Sequence, residues 1–135
     1  MIKVNVILSN INWKKYIKKP NIFINNKVVL INKKERLYKK KTLICSLLLS
    51  GSKEIKNLNK KFRNKNKSTD ILSFPYQTKK KLKKLLINNS KIYLGDIIIN
   101  FKKMNTSSKN LFKDHLNMLW IHGLVHLFGY EHKKN

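Results

Sequence analysis

The chain has 135 residues, enough for one domain spanning 1–135 whose core needs no disulfide to support it. A content of 41% hydrophobic and 10% aromatic residues excludes a disordered chain, and the single cysteine, Cys45, excludes a disulfide framework and suits a reducing, cytoplasmic compartment. The charge of +25 is that of a polyanion's partner, but 29 of the 31 basic residues are lysine, beside 18 asparagines, 16 isoleucines and no alanine, so adenine- and thymine-rich coding shares in that excess.

Ile2, Val4, Val6 and Leu8 alternate with other residues, the period of a half-buried strand. Residues 12–41 give a weak signal in which Ile22, Val29, Leu30 and Leu37 offer one helical face, blurred by Pro20. Residues 42–50 form an apolar run of strand length. After Gly51 and Ser52, the residues Ile55, Leu58 and Phe62 recur at amphipathic-helix spacing. A polar loop leads to a short strand over 71–74, stopped by Pro75. The lysines of 79–84 are expected to form a solvated loop. A further strand over 93–99 is interrupted by Gly95 and Asp96, the glycine marking a bulge or a close backbone approach. Residues 108–128 read as a helix. No stretch approaches 18 uninterrupted apolar residues, so no membrane partner is expected. This order predicts an α+β fold rather than a wound parallel sheet, and the expected architecture is a small mixed sheet packed against helices. In a chain so poor in arginine, Arg36 and Arg63 stand out.

All four histidines fall in the last 21 residues. His122 and His126 stand at i and i+4, so both rings leave one face of a helix, within reach of a shared ion at about 2.0–2.1 Å. Gly129 can adopt the left-handed conformation that ends a helix, so His132 can fold back as a third ligand. Three ligands leave a position for water, as catalytic sites do. The flanking Leu116, Leu119, Trp120, Ile121, Leu124 and Leu127 are apolar almost all round, which predicts a buried helix. His115, two turns earlier, fits a packing or outer role better than that of a fourth ligand. The spacing is also that of metzincin peptidases, but Gly123 stands where those enzymes carry a glutamate base. Glycine takes no proton, so the scaffold is zincin-like and the chemistry is not that of a peptidase.

His122-Gly-x-x-His126-Leu-x-Gly129-Tyr130-Glu131-His132 resembles the signature of the YbeY family, metal-dependent endoribonucleases specific for single strands that mature ribosomal RNA. Three further blocks extend the resemblance in the same order: Leu58-Asn59 with Phe62-Arg63, Ser68 through Pro75, and Leu94-Gly95-Asp96-Ile97. Glu131 stands where aspartate is usual and Ser68 where proline is common. Family members usually continue into a further helix, whereas this sequence stops three residues after His132. The resemblance implies a zincin-like fold with its metal site on the C-terminal helix. It implies one divalent ion, Zn2+ or another transition metal, on His122, His126 and His132. It implies that Arg63 binds the scissile phosphate, and that the partners are single-stranded RNA, ribosomal RNA and the small ribosomal subunit. Asp70 and Asp96 admit two readings, orienting a ligand histidine or capping a turn. The histidines alone leave two alternatives open: a metal-dependent hydrolase of another ester or amide bond, and a non-catalytic ribosome-associated RNA-binding factor with a structural metal.

Overall fold

The computed structural model describes residues 1–34, 39–66 and 68–130. Strands β1 (Ile2–Leu8), β2 (Thr42–Ser50), β3 (Ile71–Pro75) and β4 (Lys91–Asn100) form one mixed sheet in the order β1-β2-β4-β3. β1, β2 and β4 run parallel, and β3 pairs antiparallel with β4 at the edge. Among the described residues, α1 (Pro20–Lys34), α2 (Ser52–Arg63) and α3 (Lys79–Asn88) connect successive strands, and α4 (Lys109–Leu127) follows β4. The expected α+β architecture is present. No helix among the described residues is long and apolar enough to cross a membrane.

Strand alternation divides the sheet into two faces. On the inner face Leu43, Cys45, Leu47 and Leu49 are fully buried beside Ile2, Val4, Ile97 and Ile99. α1, α3 and α4 all place their buried residues in this cluster, with Trp13, Phe112 and Trp120 as its bulkiest members. The Trp13 ring meets Phe101 and Phe112 edge-on, and its Nε1 donates to the Ser50 carbonyl at 3.0 Å. The Cys45 thiol is pushed up to about 12 by burial and, second, by the Asp96 carboxylate, so it stays protonated at neutral pH. On the outer face a smaller cluster of Ile55, Leu72 and Ile98 sits under α2, with Leu48, Leu58 and Phe74 packed on it.

Three expectations need correction. Residues 79–84 are the start of α3, not a loop: Thr78 caps it by accepting from Lys81 N at 3.2 Å, and Leu82, Leu85 and Leu86 reach the inner core between the lysines. The buried face of α1 is Pro20, Ile24 and Val28, at i, i+4 and i+8, while Ile22, Val29 and Leu30 are exposed. Leu37 and Arg36 lie outside the described residues. α4 is buried along Phe112, Leu116, Leu119, Trp120, Leu124 and Leu127, but Leu111, Met118 and Val125 form an exposed stripe on its outer side.

β4 carries the bulge that Gly95 suggested. Ile44 pairs with Tyr93 and Cys45 with Gly95, so Leu94 is the extra residue. Gly95 has φ +145, and a Cβ there would lie 2.2 Å from the Phe74 carbonyl oxygen, so only glycine fits. The bulge also resets the alternation. Without it Asp96 would face α4; with it, Asp96 joins Tyr93 on the outer face.

Candidate active site at the edge of the sheet

Ser108 begins α4 by accepting from Leu111 N at 3.1 Å, and the helix runs unbroken to Leu127. Between the two histidines, Gly123 is buried against the sheet. A Cβ at that position would meet Ile97 Cγ2 at 2.8 Å and Ile71 Cδ1 at 3.2 Å. The residue type that denies this chain a metzincin-like base is therefore the one that lets α4 lie flush on β3 and β4. His122 and His126, on either side of that contact, are half-buried, with ring centroids 4.8 Å apart. The helix ends where expected: Gly129 has φ +92, and its N–H donates to the His126 carbonyl at 2.9 Å. Gly129 is fitted against Lys79 at the start of α3, which leaves no room for a side chain.

Two neutral nitrogen donors at this spacing suit a borderline-soft ion such as zinc, so the donor set fits one. Among the described residues no three His, Cys, Asp or Glu side chains gather into a complete ligand set. His132 and Glu131 lie outside them. His115 Nδ1 accepts from Asn105 N at 3.0 Å and ties α4 to the loop that leads into it.

Arg63 approaches β3 from the other side. It is the last residue of α2, whose end is closed by Asn64 in the left-handed conformation, with Lys65 N donating to the Asn59 carbonyl at 3.2 Å. Its Nη2 donates to the Ser73 carbonyl at 2.6 Å, and its guanidinium lies 5.3 Å from the Phe74 ring centroid. Asn100 N bonds to the Asp70 carbonyl and Tyr76 N to the Leu94 carbonyl, so the residues of even number in β3 are the ones that pair with β4. The Ser73 carbonyl consequently points off the free edge, and Arg63 occupies it. β3 thus carries α4 with its histidine pair on the inner face and Arg63 at its open edge.

Among the described residues the two acids bond to hydroxyl groups. Asp96, turned outward by the bulge, accepts from Tyr93 Oη at 2.5 Å and Tyr76 Oη at 3.2 Å. Ser46 and Tyr93 hydroxyls are 2.7 Å apart. Burial, and then the hydrogen bond to Asp96, push Tyr93 up to about 12, and the Asp96 charge raises Tyr76. The Asp70 carboxylate accepts from Thr69 Oγ1 at 3.4 Å, a local turn contact.

Sequence reasoning missed Asn100. It is fully buried, donates to Ser68 Oγ at 2.8 Å and the Thr69 carbonyl at 3.1 Å, and accepts from Lys102 N at 3.1 Å. This side chain holds the segment before β3 in place. Its only signal is a polar residue closing an isoleucine run, invisible among 18 asparagines.

With this geometry in hand, comparison with known proteins is specific. A sequence model described as Endoribonuclease YbeY matches residues 8–135. Relatives of that name include one from Pelagibacter ubique, 43% identical over 99% of this chain and 85% of its own, and one from Ehrlichia canis, 34% identical over 99% and 81%. The solution structure of TM1509 from Thermotoga maritima is 26% identical, with a TM-score of 0.55 over 98% of this chain and 75% of that one.

Proposed function

The chain belongs to the YbeY family of endoribonucleases, and on that premise we propose that it hydrolyses phosphodiester bonds of single-stranded RNA at the edge of β3, with His122, His126 and His132 holding one divalent ion, Zn2+ by its donor set. The single observation that carries the reading is the convergence on β3 of a paired-histidine helix and the guanidinium of Arg63. When bound, the ion supplies Lewis acidity and activated water at the phosphate. Arg63 supplies a planar fork of donors for the non-bridging oxygens, better matched to them than lysine. Its contact with Ser73 orients that fork, and the Phe74 ring beneath limits its swing. A site on an open sheet edge suits a strand that can bend onto it, whereas a rigid duplex cannot. We assign the substrate to small-subunit ribosomal RNA during maturation and ribosome quality control in the cytoplasm, as the family resemblance implies.

The test is cleavage by the metal-loaded protein of a single-stranded RNA, the same sequence as a duplex, and an unstructured peptide. The single strand should be cut, the duplex much less and the peptide not at all, and chelation should abolish cleavage. Peptide hydrolysis that follows metal content while RNA stays intact would overturn the reading. RNA binding should weaken with salt at a log–log slope of about −0.7 per neutralised phosphate, a few phosphates in all.

A further inference from the structure

The register lays out the outer face of the sheet as rows of side chains. Lys3, Ile44 and Tyr93 form one row, with Tyr76 at its end beyond β3. Asn5, Ser46, Asp96 and Phe74 form the next, and Ile7, Leu48, Ile98 and Leu72 the third. α2 covers Leu48, Ile98 and Leu72 in the third row and reaches Phe74. The other three helices bury their residues on the opposite face, so no helix among the described residues covers the first row. A soluble sheet with an uncovered face ordinarily presents polar side chains there. Here the uncovered row ends in two tyrosines with ring centroids 4.9 Å apart and planes inclined by 58°. Tyr76 is 59% exposed.

These rings are fixed. Both hydroxyls donate to the one Asp96 carboxylate, and Ser46 adds a bond to Tyr93. The bulge at Leu94 is what brings Asp96 to this face, so the pair depends on a backbone irregularity rather than on regular alternation. The surroundings suit a polyanion: Lys3 stands in the same row, Lys91 one row beyond, and Arg63 beside Phe74 at the β3 edge. Asp96 is the one acid placed in these rows, and two hydroxyl donors screen it. An aromatic pair held by hydrogen bonds near cations, with Tyr76 two residues past Phe74 and just beyond β3, matches a platform on which bases stack while lysines meet the backbone.

We propose that Tyr76, held by Tyr93 and Asp96, is a stacking subsite for an unpaired base flanking the bond to be cut, so that the outer face of the sheet grips the single strand whose phosphate lies at Arg63. This rests on the endoribonuclease reading and adds to it a physical reason for preferring unpaired RNA: a paired base has no free face to offer.

The experiment measures binding of a labelled, nuclease-resistant 2′-O-methyl oligoadenylate by anisotropy across a salt series, using the full chain. Tyr76→Ala should weaken binding by about 5- to 150-fold, the range for one lost base stack. Its salt slope should match the parent's, because no phosphate contact is removed. Tyr76→Phe should stay within about threefold of the parent and Tyr76→Trp should equal or exceed it, since both keep an aromatic face. With abasic residues in place of the adenines, parent and Tyr76→Ala should bind alike. Undiminished affinity in Tyr76→Ala, or a loss accompanied by a shallower salt slope, would overturn the inference. RNA cleavage by the metal-loaded parent, measured alongside, keeps the two readings apart. A parent that cleaves while Tyr76→Ala binds normally rejects only the subsite; a parent that stacks oligoadenylate through Tyr76 but cuts no RNA keeps the stacking of a base on Tyr76 and rejects the nuclease, and with it the place of that base beside a scissile bond.

Discussion

The two faces of the sheet are drawn from the same strands, one residue apart, and have little else in common. Leu43, Cys45, Leu47 and Leu49 of β2 are wholly buried beneath helices, while Ile44, Ser46 and Leu48 between them are half-buried on a face that α2 covers only in part. The inner face positions α4, and through Gly123 it sets how closely the histidine helix approaches β3. The outer face holds Arg63 and the tyrosine pair within reach of solvent. On the proposed function, stability and recognition are separated by the period of a strand, and the bulge at Leu94 is where that period is broken to bring Asp96 across.

The contrast can be pressed by mutation, starting with the largest effect. His126→Ala on the inner side should lose the ion and at least about 1000-fold in RNA cleavage, since a Lewis acid contributes several kcal/mol at the transition state. Elemental analysis of the purified variant beside a cleavage assay checks both. In the core, Leu47→Ala should cost about 2–5 kcal/mol by denaturant unfolding, whereas Asn5→Ala on the outer face should fall within about 0.5 kcal/mol of the parent. Equal costs at the two positions would break the comparison. Gly123→Ala should destabilise by about 1–3 kcal/mol, even though alanine favours helix by about 0.5–1 kcal/mol, because the new methyl meets the branched Ile97 side chain in a packed core. A further effect, confined to alkaline pH, concerns Tyr93. Its folded pKa of about 12 exceeds its ordinary value of 10, so the stability it contributes is whole below pH 10 and is lost as pH rises toward 12. Tyr93→Phe should lessen the parent's loss of stability in that window without abolishing it, because the Cys45 thiol, also pushed up to about 12, titrates there too; urea unfolding at successive pH values would show the difference.

What could be read in the sequence was local. The histidine pair and the helix-ending glycine depend on residues within one or two turns, and strand β2 on a single unbroken run. Composition hid other features. In α3 the lysines mask Leu82, Leu85 and Leu86, whose spacing and Thr78 cap specify a helix. In α1 isoleucines, valines and asparagines occur on every side, so periodicity does not select the face that Ile24 and Val28 bury. The direction of Asp96 was illegible for a different reason. It follows from one extra residue in β4, whose effect on pairing exists only when β2 lies alongside. Arg63 stood out through rarity, but its grip on the Ser73 carbonyl belongs to the tertiary fold.

The central claim is that the helix side and the outer side of β3 act on one phosphodiester. The most direct measurement is metal content and single-stranded RNA cleavage in the same preparation of Arg63→Ala. The account predicts one ion per chain, as in the parent, with cleavage slowed on the order of 100-fold and only partly restored in Arg63→Lys. An Arg63→Ala protein that keeps its ion and cuts RNA at the parent's rate would contradict it.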